Sequence, residues 1–149
     1  MRINNQKSFF FLIFLSIIGW SCNQMEDRIK LPDCHNRMTL DSLQTENELI
    51  GEWEWIFIRC FSDPGNGDDY SYRGLTIEFK SNHTLIVKKE GEVIKTSSWT
   101  LKDRLDGSFS LEADPSVSQL SGIISICEDL ISFNASYYDL CDNYFKSMD

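Results

Sequence analysis

From Glu48 onward, apolar and polar residues alternate over short runs separated by turn residues, the period of strands that bury one face. Trp53, Trp55 and Phe57 alternate with Glu52 and Glu54, so a pleat sets three rings on one side and the carboxylates on the other. After the turn-forming run DPGNGDD, Leu75, Ile77 and Phe79 alternate with Thr76, Glu78 and Lys80. Ser81-Asn82-His83 leads into Leu85-Ile86-Val87, and Glu90-Gly91-Glu92 turns the chain into a run from Val93 to Leu101 that contains Trp99. Asp106-Gly107 precedes a short strand with Phe109 and Leu111; Gln119 to Ile126, Leu130 to Phe133 and Leu140 to Lys146 complete the series. No helical stripe of useful length interrupts it. The pattern therefore predicts an all-β fold of eight strands.

Every connection is short enough for antiparallel neighbours. With an even number of strands the first and last run in opposite directions and can pair, which removes both sheet edges and makes an eight-stranded up-and-down antiparallel β-barrel. The cysteines test that closure by direction alone. Cys60 ends the first strand and Cys141 begins the last, so closure brings them together; Cys127 ends a strand at the opposite end, where the segment carrying Cys34 enters the barrel. The preferred pairs are Cys60–Cys141 and Cys34–Cys127. Joining Cys127 to Cys141 would need a bond across the length of a strand, about 17 to 20 Å, whereas a disulfide needs Cα atoms about 5.5 Å apart.

The amino terminus has a different texture. Arg2 and Lys7 precede the apolar run Phe9 to Ile18, and Gly19, Trp20 and Ser21 lead to Cys22. The run is shorter than the roughly 20 residues of a membrane-spanning helix and has the layout of an export signal. Ending at a cysteine, it resembles a bacterial lipoprotein signal in the looser Bacteroidota form, which implies a lipid on Cys22. Residues 1–21 are thus read as the signal peptide, 22–47 as a lipidated tether and amino-terminal segment, and 48–147 as the barrel domain. The polar stretch after Cys22, with Glu26 and Asp27, has too little apolar surface to offset the entropy of ordering it.

Charge narrows the partners. The chain carries 14 basic and 23 acidic residues, a net charge of −9 that becomes −11 once Arg2 and Lys7 are removed. Phosphate backbones and anionic lipid surfaces repel such a chain, which excludes nucleic acid and leaves membrane contact to the anchor. With Cys22 lipidated, the other four cysteines make an even set suited to an oxidising compartment. There is no CxxC, and His35 and His83 are the only histidines, so no metal site is expected.

Leu49-Ile50-Gly51-Glu52-Trp53 resembles the Gly-x-Trp opening of the lipocalin superfamily, in the form found in small Bacteroidota lipocalin-like (calycin-type) lipoproteins. The strand Leu75–Lys80, the turn Ser81–Thr84, Trp99 in a middle strand and the closing Asp142-Asn143-Tyr144-Phe145-Lys146 follow in the order typical of that group. The resemblance covers residues 48–147 and implies a lipocalin-like barrel, sealed by Trp53 at one end, with residues 61–73 at an open mouth. It implies an outer-membrane lipoprotein, on the periplasmic face or the cell surface. The Thr-Asp-Tyr block and carboxy-terminal helix of larger lipocalins are missing.

An eight-stranded barrel either holds one small ligand or is filled by its own side chains. Trp53, Trp55, Phe57, Phe79 and Trp99 are the candidate lining of an apolar pocket, or core. Asp63, Asn66, Asp68 and Asp69 offer oxygens, but not at the spacing of a calcium loop. No pair of carboxylates, and no Cys/His arrangement, stands out as catalytic machinery. Asn82-His83-Thr84 and Asn134-Ala135-Ser136 match a glycosylation sequon, and Asp41-Ser42-Leu43 resembles a Bacteroidota O-glycosylation site. The expectation is a non-enzymatic envelope lipoprotein without a cofactor that binds a small apolar or amphipathic ligand, or alternatively a protein-interaction or inhibitor module with a filled barrel. Oligomeric state is not legible.

Overall fold

The computed structural model describes residues 40–60 and 72–148, all within the second of two compact units of the chain, Asp33–Asp149. A helix α1 (Ser42–Leu49) precedes eight strands: β1 (Gly51–Cys60), β2 (Leu75–Phe79), β3 (Thr84–Lys89), β4 (Glu92–Asp103), β5 (Phe109–Asp114), β6 (Ile123–Cys127), β7 (Leu130–Asn134) and β8 (Cys141–Ser147). They form a closed barrel in sequence order, every neighbouring pair antiparallel. The predicted closure is present: β1 pairs with β8 from Trp53↔Ser147 to Cys60↔Cys141.

The helix departs from the all-strand pattern. Only Thr45 and Leu49 of α1 are buried, too few to print a stripe on the sequence. Its start is fixed locally. Asp41 accepts a hydrogen bond from the Gln44 amide at 2.8 Å while the Gln44 side chain accepts from the Asp41 amide at 3.1 Å, a reciprocal capping box. The helix lies where the chain enters the barrel. Leu49 is fully buried, and its carbonyl accepts the Trp53 indole N–H at 2.9 Å, so helix and first strand seal this end together.

Inside, β2 contributes Leu75, Ile77 and Phe79, β3 Leu85 and Val87, and β4 Trp99, in strict alternation. Phe79 meets Trp99 edge-on at 5.2 Å between ring centroids, and Phe133 meets Phe145 likewise at 5.8 Å, the arrangement aromatic quadrupoles favour.

In β1 the alternation breaks. Trp55 faces Phe145 but Phe57 faces Tyr144, so one extra residue, Ile56, is accommodated as a bulge. Residues after a bulge change face. Trp53, Trp55 and Ile58 are buried inside, whereas Phe57 lies on the outer side against Tyr144, at 5.8 Å. The expectation that Phe57 shares a face with Trp53 and Trp55 is therefore corrected.

On the outer face Glu52 stands opposite Glu78, a pairing of like charges that would repel. Lys88 on β3 answers both, its Nζ 2.9 Å from Glu52 Oε1 and 3.2 Å from Glu78 Oε2. Desolvation, the largest influence on Glu78, pushes its pKa up, but the Lys88 hydrogen bond and the charges of Lys80 and Lys88 together hold it below the ordinary 4.5. The hydrogen bonds that Lys88 donates to Glu52 and Glu78 hold it above its ordinary 10.5. A lowered carboxylate stabilises the fold above its unfolded pKa, and that contribution is lost as pH falls through the folded value. The raised lysine contributes fully below its unfolded pKa and loses its contribution as pH rises through the folded one. Lys88→Met should lower the urea midpoint at pH 7, and the deficit relative to wild type should shrink as pH falls below 4.5. A deficit independent of pH between 7 and 3 would show that packing of the lysine stem, and not charge, is responsible.

Candidate functional site at the open end

The barrel's two ends differ. One is closed by α1 and by the tight turns of residues 80–83, 104–108 and 128–129. At the other, the chain leaves β1 at Cys60 and enters β2 at Leu75, and here lie the β3–β4 turn, the β5–β6 connection 115–122 and the β7–β8 connection 135–140.

The β5–β6 connection shapes this open end. β5 and β6 are joined by the single pair Ser110↔Ile123, so the upper part of β5 has no strand on its β6 side. Residues 115–122 turn inward instead, bury Val117 and Leu120 in the core and bring the short 3-10 turn Ser118–Leu120 against β8 across the mouth. Two side chains of β4 hang this strap: Ser97 Oγ donates to the Pro115 carbonyl at 2.6 Å and Lys95 Nζ to the Ser116 carbonyl at 2.8 Å. Just before it, Ser98 Oγ donates to the carbonyl of Asp114, the last residue of β5, at 3.3 Å.

Between the strap and the wall formed by β2, β3 and β4 lies a hollow of about 410 Å³, open to solvent on one side. Leu75 and Val87 are its buried apolar floor, Val117 its inner flank, and Ile94 and Lys95 its outer edge; Ser116, Ser118 and Gln119 supply polar atoms. Lys95 stands opposite Val87 in the β3–β4 register, which turns it to the inner side of the sheet. Neighbouring Val93 and Ile94 are each 59% exposed.

None of the five residues expected to line a pocket borders this hollow. Trp53 belongs to the closed end, and Phe79 and Trp99 pack on each other. Trp55 is held by its indole N–H donating to Asn143 Oδ1 at 3.1 Å and lies 5.5 Å from the Tyr72 ring. Phe57 is outside. Trp99 keeps one unusual feature: its indole N–H is buried with no hydrogen-bond partner among the described residues. A second hollow, about 380 Å³, opens at the closed end between α1 and the β6–β7 turn, with Glu48, Glu128 and Asp129 around it.

The β7–β8 connection is fastened from outside the barrel. The carboxylate of Asp142, 1% exposed, accepts the Ser136 amide at 2.8 Å, the Ser136 hydroxyl at 2.9 Å and Arg59 at 3.0 Å. That fixes a 3-10 turn, Ser136–Tyr138, which presents Tyr137, Tyr138 and Leu140 to solvent. Because Ile123, paired with Asn134, meets β5 at Ser110 near its start, the end of β7 stands beside the β4–β5 turn although the two connections belong to opposite ends of their strands, and Tyr138 accepts a hydrogen bond from Arg104 at 2.7 Å. Burial, with the Asp142 charge adding to it and Arg59 opposing, pushes the Tyr144 hydroxyl above the ordinary pKa of 10.0.

Cys60 and Cys141 form a disulfide at this end, across directly paired residues with Cα atoms 4.1 Å apart. Cys127 is also disulfide-bonded. Its expected partner Cys34, the anchor Cys22 and the acidic run from Asp63 to Asp69 lie outside the described residues. Both sequon asparagines have structural work: Asn82 Oδ1 accepts the Thr84 amide, and Asn134 Nδ2 bonds the Ile123 carbonyl and the hydroxyls of Ser125 and Ser132.

No protein-family model and no curated protein matches the chain. Among solved structures it is similar to a DUF4847 family protein from Bacteroides vulgatus, with 15% identity and a TM-score of 0.43, over 70% of this chain and 98% of that one.

Proposed function

We propose that this chain is a lipid-anchored, non-catalytic protein of the cell envelope whose lipocalin-like barrel binds a small apolar or amphipathic molecule at its open end. The observation that carries this reading is the hollow beneath the β5–β6 strap. Its volume of about 410 Å³ falls within the range of small-molecule sites, about 300 to 1,000 Å³; Leu75, Val87 and Val117 make a buried apolar floor, and Lys95, Ser116, Ser118 and Gln119 make half of its lining polar. The anchor rests on the export-signal layout before Cys22 and on the even set of remaining cysteines.

A second reading, a protein-binding module with a solid barrel, is favoured by the mutually packed rings of the interior and by Tyr137 and Leu140, 88% and 53% exposed at the rim. Exposed aromatic side chains of this kind suit protein contacts. Titration with fatty acids, bile acids and tetrapyrroles, followed by tryptophan fluorescence, separates the two. Trp55, next to Tyr72, serves as the reporter near the mouth. A saturable change supports the ligand reading, and a flat response across the panel supports the solid barrel. For the anchor, Cys22→Ser should move the protein from the membrane fraction to the soluble one with the domain still folded; retention on membranes would contradict it.

A further inference from the structure

Several exposed large apolar side chains stand singly or as neighbours within one element: Leu43 on α1, Val93 and Ile94 on β4, Met148 after β8. Scattered ones are ordinary on a protein surface. One group is different. Leu105 of the β4–β5 turn and Tyr137, Tyr138 and Leu140 of the β7–β8 connection are all exposed, and the Arg104–Tyr138 hydrogen bond joins the two connections. Tyrosine and arginine are side chains enriched at protein interfaces.

The group is held in place before anything binds it. Asp142 fixes Ser136, the Leu140 amide donates to the Ala135 carbonyl at 3.3 Å, and Tyr137 meets Tyr138 edge-on at 5.6 Å between ring centroids. In the β4–β5 turn the Arg104 amide donates to the Ser108 carbonyl at 3.0 Å, and the Asp106 carboxylate accepts both the Ser108 amide and its hydroxyl. A partner therefore has little ordering to offset here.

Charge selects the partner. Asp103, Asp106 and Asp139 stand exposed in or beside these connections, against one guanidinium, Arg104, which itself lies 3.9 Å from Asp106. The hydrogen bonds from the Ser108 hydroxyl and amide hold the Asp106 carboxyl below its ordinary 3.8, so it stays ionised. Such a rim repels phosphate backbones and anionic lipid. A second copy of the chain would set acids against acids.

We propose that this face, Leu105 with Tyr137, Tyr138 and Leu140, docks a protein partner that presents apolar side chains bordered by lysine or arginine. The proposal rests on the second, protein-binding reading and is independent of whether the barrel holds a small molecule.

The test uses isotope-labelled, oxidised protein and two helical peptides as probes, acetyl-KLAKLAKKLAKLAK-amide and its counterpart with every lysine replaced by glutamate, followed by backbone amide chemical shifts. The lysine peptide should shift residues 103–106 and 137–140 saturably, and the glutamate peptide should not. Leu105→Ser and Tyr137→Ala should each weaken binding about tenfold, while Leu43→Ser, at an exposed leucine of α1, should leave it unchanged. Raising the salt from about 0.05 to about 0.3 M should weaken it too, because screening shortens the reach of the carboxylates. Unchanged urea midpoints confirm that the variants fold. Saturable shifts confined to another face, or equal binding of the two peptides, overturn this inference and leave the protein-binding reading standing. Shifts at the same residues that grow with protein concentration alone assign the face to a second copy and overturn it as well. If neither peptide shifts any residue, the inference and that reading fall together.

Discussion

Replacing Cys60 and Cys141 by serine should cost about 4 kcal/mol, the entropy of a loop of this size regained by the unfolded chain. The two residues are 81 apart in sequence and tie the first strand to the last, the two paired strands farthest apart along the chain. With a urea slope of about 2 kcal/mol per molar, typical of a domain this size, the midpoint should fall by about 2 M. The serines themselves fit, because the site is only partly buried and both positions already face each other in the ladder. Equilibrium urea unfolding of the double variant against wild type checks the number. A loss under about 1 kcal/mol would mean that residual structure already constrains the unfolded ensemble, or that the remaining disulfide at Cys127 suffices.

Gly122→Ala should be comparably severe, at about 3 to 5 kcal/mol. A Cβ at this position would lie 2.2 Å from the Asn134 carbonyl oxygen and 2.5 Å from its carbon, both backbone atoms, at a φ of +105°. Neither strand can yield easily, since Ile123 is paired with Asn134 and the Asn134 side-chain amide bonds the Ile123 carbonyl. The clash falls where the strap re-enters the sheet, so the single Ser110↔Ile123 link should fail with it. Gly91→Ala and Gly107→Ala supply the contrast. They share a positive φ, but a Cβ there meets nothing within 4 Å, so only the backbone penalty of about 1 to 2 kcal/mol remains. Urea midpoints for the three variants should separate clearly. Gly122→Ala no worse than the other two would show that β6 and β7 can part without loss.

Most of the barrel was legible because its walls are one-sided. Leu75-Thr76-Ile77-Glu78-Phe79 could only present Leu75, Ile77 and Phe79 to one face, and the direction of the strands then brought Cys60 to Cys141. The differences fall where local chemistry overrides period. In Trp55-Ile56-Phe57-Ile58 four apolar residues run together, so nothing in the pattern marks Ile56 as the extra one. The strand expected from Gln119 starts only at Ile123, because Ser118–Leu120 is a 3-10 turn and Gly122 adopts a positive φ that strands do not use. The helix had a readable signal in Asp41 and Gln44, the capping-box spacing, but two buried residues give no stripe. The hollow had none. Leu75, Val87, Lys95 and Val117 come from three strands and a connection, and only the register that sets Lys95 opposite Val87 unites them.

The pairing of β1 with β8 also sets an order of events. Residues 51–60 cannot be fully hydrogen-bonded until residues 141–147 are available, so the first strand made waits for the last. Contacts this distant in sequence make folding slow, on the millisecond-to-second scale of β-barrels. A chain stopped short of Cys141 keeps an open ladder and a bare thiol at Cys60, the form in which edge-to-edge aggregation and mispaired sulfurs begin.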